Sequence, residues 1–247
     1  MHKPSHRYAI YYAPSPEGVW WQAASYWLGR CAFTQKKLLQ PEVTGLTREE
    51  FQAVTAAPRR YGWHATLKAP FFLASGITVE KLHETVKNFA ASYQSFDLPQ
   101  LQTQLLGDFL ALTPIEQSNT DRVANIDPSG LHPLHSIADA CVRDLAFLAA
   151  PISESDLQRR RQAHLTREQD ALLVRWGYPY VMEEYRFHCS LTGSLKGLTT
   201  DQTAALKQAA IDFFHDLPDC RFDTLALFEE PERGADFILS AHFSLKP

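Results

Sequence analysis

A heptapeptide recurs in this chain, and the recurrence constrains the fold more than any other feature. Tyr61-Gly62-Trp63-His64-Ala65-Thr66-Leu67 aligns with Tyr185-Arg186-Phe187-His188-Cys189-Ser190-Leu191. Tyr, His and Leu are identical, while Trp/Phe, Ala/Cys and Thr/Ser are conservative pairs. The downstream context repeats as well. Gly107 of a Gly-Asp turn follows His64 by 43 residues, and Pro231 follows His188 by 43. A helix starting 12–14 residues after each histidine, then a strand, a turn and another strand, is expected in both places. Tandem duplication accounts for these matches, so the chain is expected to hold two motif-bearing halves.

Side-chain parity then assigns faces. Successive residues of a strand point to opposite sides. His64, Thr66 and Lys68 therefore share one face, and Trp63, Ala65 and Leu67 the other. Likewise His188, Ser190 and Thr192 oppose Phe187, Cys189 and Leu191, with Arg186 at the parity of His188 and Gly62 leaving room at the matching place. Each strand thus has one apolar face for a core and one polar, titratable face. Brought together, two imidazoles and two hydroxyls suit phosphodiester chemistry. A neutral imidazole takes a proton, an imidazolium gives one, and both forms are available near neutrality. Thr66, Ser190 and Thr192 would donate to phosphoryl oxygens, and Lys68 and Arg186 would offset developing charge.

The rest of the chain interleaves strands and helices. Strands are expected at 7–14, 61–73, 98–106, 109–113, 184–193, 220–228 and 235–245. Helices are expected from a Ser15-Pro16 cap, from Thr47 to about Ala56 with Pro58 as the stop, and from Thr78 to about Tyr93. Others are expected over 131–148, as one long polar helix from Ser153 to about Trp176, and from about Thr200 to Phe214. Residues 115–130 read as a polar loop. No linker separates independent domains, so the class is α+β or α/β with packed halves.

Composition excludes several classes. At 247 residues and 45% hydrophobic content the chain is no disordered polymer. A net charge of −4 argues against a protein that coats nucleic acid. Cys31, Cys141, Cys189 and Cys220 form no Cys-x-x-Cys pair and read as reduced thiols of a cytoplasmic protein. The N-terminal residues are too polar for a secretory leader, and no apolar run is long enough to span a membrane. Histidines and carboxylates are too scattered for a metal site, and there is no Gly-x-x-x-x-Gly-Lys-Ser/Thr loop.

Other matches to the short motif are weaker. His-x-Thr/Ser occurs also at His83, His164 and His242. The first two fall in helical patterns, and His242 lacks the preceding Tyr-x-aromatic. Trp20, Trp21 and Trp27 read as core. The run Arg159-Arg160-Arg161 reads as a solvated helix face that could instead border the groove.

The pair His64-Ala65-Thr66-Leu67 and His188-Cys189-Ser190-Leu191 resembles the 2H phosphoesterase superfamily. The flanks, Arg59-Arg60-Tyr61 and Thr192-Gly193, make it most similar to a bacterial branch named for phosphonate metabolism. The resemblance implies an α+β, bilobal, pseudo-twofold duplicated fold of antiparallel sheets flanked by helices around a central groove. Within one domain over 1–247, the first half would cover about 1–114, a helical insertion about 115–178 and the second half about 179–247. It implies a metal-independent hydrolase with no cofactor, acting on a cyclic phosphate, either a 2′,3′-cyclic nucleotide or a ribosyl 1,2-cyclic phosphate from phosphonate breakdown. His64 and His188 would be its acid and base. The alternative is a non-catalytic module binding a phosphate ester or an RNA end in the same groove. A monomer with no membrane partner is expected.

Overall fold

The computed structural model describes residues 6–115 and 132–247, so most of the expected loop over 115–130 lies outside the described residues. The architecture is α+β. Seven strands form one antiparallel sheet: β1 (Arg7–Tyr12), β2 (Ala65–Phe71), β4 (Leu101–Leu106), β5 (Phe109–Pro114), β6 (Cys189–Ser190), β8 (Thr224–Glu230) and β9 (Ile238–Ser244), in the order β4-β5-β6-β2-β1-β8-β9. A two-stranded ladder joins β3 (Phe96–Asp97) to β7 (Arg221–Phe222). Helices α1 (Val19–Leu28), α2 (Arg48–Tyr61), α3 (Val79–Ala90), α4 (Pro133–Arg143), α5 (Glu154–Arg161), α6 (Arg167–Trp176) and α7 (Thr200–Phe214) complete the fold.

The sheet sorts its side chains by parity, as expected. Ile10, Tyr12, Trp63, Ala65, Leu67, Phe187, Cys189, Leu191, Leu225 and Leu227 enter the large core with Leu82 of α3, Ile137 and Cys141 of α4 and Leu206 of α7. Ala9, Tyr11, Ala226 and Phe228 point to the other side, where they pack with Trp21, Ala32 and Phe237. Burying one large side chain of this kind stabilises by about 1.5–3 kcal/mol, which fixes the register of the strands that carry them. Trp20, Trp21 and Trp27 are core, with the Trp27 indole N–H donating to the Leu191 carbonyl at 3.0 Å. All four cysteines are free and buried. Among the described residues no helix is long and apolar enough to cross a membrane.

Several local expectations are corrected. α1 starts at Val19 with Gly18 as its cap, because Ser15 to Gly18 close a turn through Gly18 N–H to Ser15 O at 2.9 Å. Pro58 does not end α2; the helix has its expected Thr47/Glu50 capping box but continues to Tyr61. A proline inside a helix deprives the carbonyl four residues earlier of its donor. Here that carbonyl, of Val54, accepts the Gly193 N–H at 2.6 Å, so the cost is offset and α2 is tied to the segment after the second motif. The expected long helix from Ser153 to Trp176 is two helices, broken where His164 takes φ 54°. The strand expected over 184–193 is ladder-bonded only at Cys189–Ser190.

Candidate active site

β2 and β6 are antiparallel neighbours joined through the Ala65–Cys189 pair. Continuing that register places His64 across from Ser190 and Thr66 across from His188. The histidines then occupy opposite corners of a four-residue patch, where diagonal partners are about 7–8 Å apart. Ala65 and Cys189 face the large core, so the patch faces the other way. There it lines a groove of about 610 Å³ whose walls include His64, Thr66, His188, Ser190, Tyr11 and Arg60.

Both rings are held alike. His64 Nδ1 lies 2.9 Å from the Gly62 carbonyl, and His188 Nδ1 lies 2.9 Å from the Arg186 carbonyl. A carbonyl only accepts, so Nδ1 carries the hydrogen in each ring. Nε2 of the neutral ring is then the basic atom. The bond to a carbonyl two residues back does not itself need glycine, since Arg186 makes it without a positive φ. Gly62 nonetheless takes φ 75° and ψ 174°, a conformation open essentially to glycine alone.

His64 also stacks on Tyr11, with ring centres 3.9 Å apart, and packs near Tyr61 and Phe228. Burial there pushes its imidazole down to about 4, against the opposing carbonyl bond, and the nearby His188 lowers it further. Burial lowers His188 too, again opposed by its carbonyl contact. Both rings are therefore neutral near pH 7.

Three further expected site residues sit differently. Lys68 is buried and does not line the groove. The β1–β2 register shifts between Thr66 and Lys68, and a bulge of one residue reverses the parity beyond it. Its ammonium lies 5.4 Å from the Phe71 ring centre, on the side of Cys141, and burial lowers its pKa to about 8. Arg186 is exposed and contributes its carbonyl, not its guanidinium. Thr192 lines the groove, but its hydroxyl is committed to the backbone, accepting Leu110 N–H and donating to Gly193 O, both at 2.9 Å. His242 lies on β9, edge-on to Trp21 and away from the groove lining.

The sequence reading missed the arginines that rim the groove: Arg7, Arg60 and Arg233 join Arg159 and Arg160 of α5. Arg7 and Arg60 both bind Glu230, whose side chain is fully buried and also accepts the Gly234 N–H at 2.9 Å. Arg159 and Arg233 both bind Asp156. Arg60 adjoins the first motif in sequence, a signal that was available. Arg7 and Arg233 are far from both motifs, so only the β1–β8 pairing brings them in.

Residues 66–238 match the model of a family described as "Protein of unknown function (DUF1045)". The chain is 37% identical over 235 residues to a "Ribose 1,5-bisphosphate phosphokinase PhnN" of Janthinobacterium sp. (strain Marseille), covering 94% of this chain and 49% of that protein. It is 38% identical over 233 residues to a protein of the same name from Laribacter hongkongensis (strain HLHK9), covering 94% and 50%. The chain thus spans about half the length of the curated relatives it matches. Their name is that of a phosphoryl transferase, which overturns the expectation of a cyclic-phosphate hydrolase.

Proposed function

Because the chain belongs to the family described as protein of unknown function (DUF1045), a description that assigns no reaction, we propose its chemistry from the groove. The groove binds a small phosphorylated ribose, and the two histidines move protons during transfer of a phosphoryl group to a hydroxyl acceptor. His64 Nε2 takes the proton of the acceptor hydroxyl as the new O–P bond forms. The P–O bond to the leaving group breaks, and His188 gives that oxygen a proton. His188 is the acid because its imidazolium is stabilised by the phosphate it faces, whereas His64, buried against Tyr11, stays neutral. Thr66 and Ser190 donate to the non-bridging oxygens. The two-motif duplicated fold belongs to the same reading, as does a place in phosphonate metabolism, which the relatives' shared name supports.

The observation that carries the reading is the cross-strand patch, in which each imidazole stands opposite the hydroxyl of the other motif. From the relatives' name it takes the phosphorylated ribose and the transfer class. The donor is the phosphorylated ribose itself, whose ester oxygen is the leaving group protonated by His188, since this sequence has no Gly-x-x-x-x-Gly-Lys-Ser/Thr loop for a nucleoside triphosphate.

The test is phosphorus NMR of the purified chain with ribose 5-phosphate or ribose 1,5-bisphosphate and a simple alcohol as acceptor. A new phosphoester resonance is expected. It should fall by about 10²–10⁴-fold in His64→Ala and in His188→Ala, with the circular dichroism unchanged. Transfer that persists in both variants refutes the assignment of these histidines. Binding without turnover in any variant would make the groove a phosphate-ester binding module.

A further inference from the structure

The three-arginine run on α5 divides in space. Arg159 turns to Asp156 at 2.9 Å and Arg161 to Asp170 at 2.7 Å, so both are compensated. Arg160, between them, turns inward. It lines both the groove and an adjoining cavity of about 480 Å³, and so stands at the junction of the two. Its guanidinium is 4.9 Å from the ring centre of Tyr178, which orients the plane. Its Nε is fully buried and has no hydrogen-bond partner among the described residues.

A buried charged donor without a partner is costly, and native structures rarely leave one. Among the described residues lining the two cavities, no carboxylate is free to answer it. The five guanidiniums along the groove face two carboxylates, Glu230 and Asp156, each already shared by two arginines. The junction therefore carries a surplus of positive charge next to a planar fork suited to phosphate oxygens.

We propose that Arg160 is the centre of a second anion subsite at the junction of the two cavities. It takes the distal phosphate of a ligand whose reacting phosphoryl group lies at His64 and His188. The substrate class is then a sugar carrying two separated phosphates, in preference to a monophosphate. The spanning arrangement rests on the histidine site proposed above; the anion subsite itself rests on Arg160.

The experiment is calorimetric titration of ribose 5-phosphate and ribose 1,5-bisphosphate into the wild type, Arg160→Met and Arg160→Lys, with imidazole NMR spectra recorded at each end point. The wild type should prefer the bisphosphate. Arg160→Met should lose about tenfold or more in bisphosphate affinity and leave monophosphate binding unchanged. Arg160→Lys, which keeps the charge but not the fork, should fall between. An equal loss for both ligands, or no loss, overturns the proposal. If Arg160→Met does not fold, an unchanged ratio of the two affinities in Arg160→Lys overturns it. The imidazole signals separate the two readings. If they stay still while Arg160 governs bisphosphate affinity, the anion subsite stands and the histidine site fails. If they move with both ligands in every variant and the ratio is constant, the reverse holds.

Discussion

Gly62 gives the most quantitative handle on the site. Its φ of 75° with ψ 174° lies where an L side chain is strained by about 1–3 kcal/mol. A Cβ added there would sit 2.5 Å from the Ala32 Cβ and 3.7 Å from a Phe228 ring carbon. Ala32 is buried in the smaller core, so neither methyl has room to retreat, and overpacking of this kind costs about 1–3 kcal/mol. Gly62→Ala should therefore destabilise by about 2–6 kcal/mol, a large share of the 5–15 kcal/mol typical of a folded protein. In a chain this long that is roughly 5–20 °C in Tm. Urea unfolding of Gly62→Ala, Ala32→Gly and the double variant would divide the cost. Ala32→Gly removes the overlap but leaves the backbone strain, so the cycle should show a favourable coupling of about 1–3 kcal/mol. The variant should also disturb the His64 imidazole, whose Nδ1 donates to the carbonyl of this residue. A Gly62→Ala protein within about 0.5 kcal/mol of the wild type would refute the strain argument, and zero coupling would refute the clash.

Three other outcomes are expected. The His64 imidazole should titrate near 4, and because the unfolded chain then binds the extra proton between pH 6.5 and about 4, stability should fall as pH drops through that window. The loss should be at most about 3 kcal/mol, and the slope of urea midpoint against pH should flatten in His64→Gln. Lys68→Met should stabilise the fold at pH 7 by about 1–3 kcal/mol, read from urea unfolding, because it removes a charge that burial disfavours; ribose 5-phosphate affinity, measured by calorimetry, should not change. Glu230→Gln should cost about 3–5 kcal/mol in a thermal melt, since Arg7 and Arg60 would share a buried neutral amide in place of a carboxylate.

The faces of the two motif strands were legible because a duplicated alternation carries its own control. Trp63 and Phe187, Ala65 and Cys189, and Leu67 and Leu191 all reach the same core. The limits of that reading are equally physical. Alternation persists only while the ladder is regular, and one extra residue in β2 turns Lys68 to the other side of the sheet. Pro58 reads as a stop because a stop is the usual answer to a missing N–H; the donor that replaces it, on Gly193, is far away in sequence. Arg186 has the right parity, but parity says nothing of how far along the strand a side chain stands from the groove. Part of the arginine rim was hidden for a related reason. Arg7 and Arg233 reach the groove only through their pairs with Glu230 and Asp156, and ion-pair networks leave no periodic trace.

An antiparallel pair has a local dyad, and here it runs through Ala65 and Cys189, exchanging one histidine for the other and Thr66 for Ser190. A site built on such an axis is indifferent to the direction of travel. Under the proposed transfer, turning the reaction round would swap acid for base while every group stays where it is. As with any catalyst, net flow would be set by the concentrations of reactants and products relative to equilibrium, and the dyad adds that the same two rings would serve in either direction. Orientation comes from what breaks the dyad, with Tyr11 stacked on one imidazole and Phe109 tilted against the other.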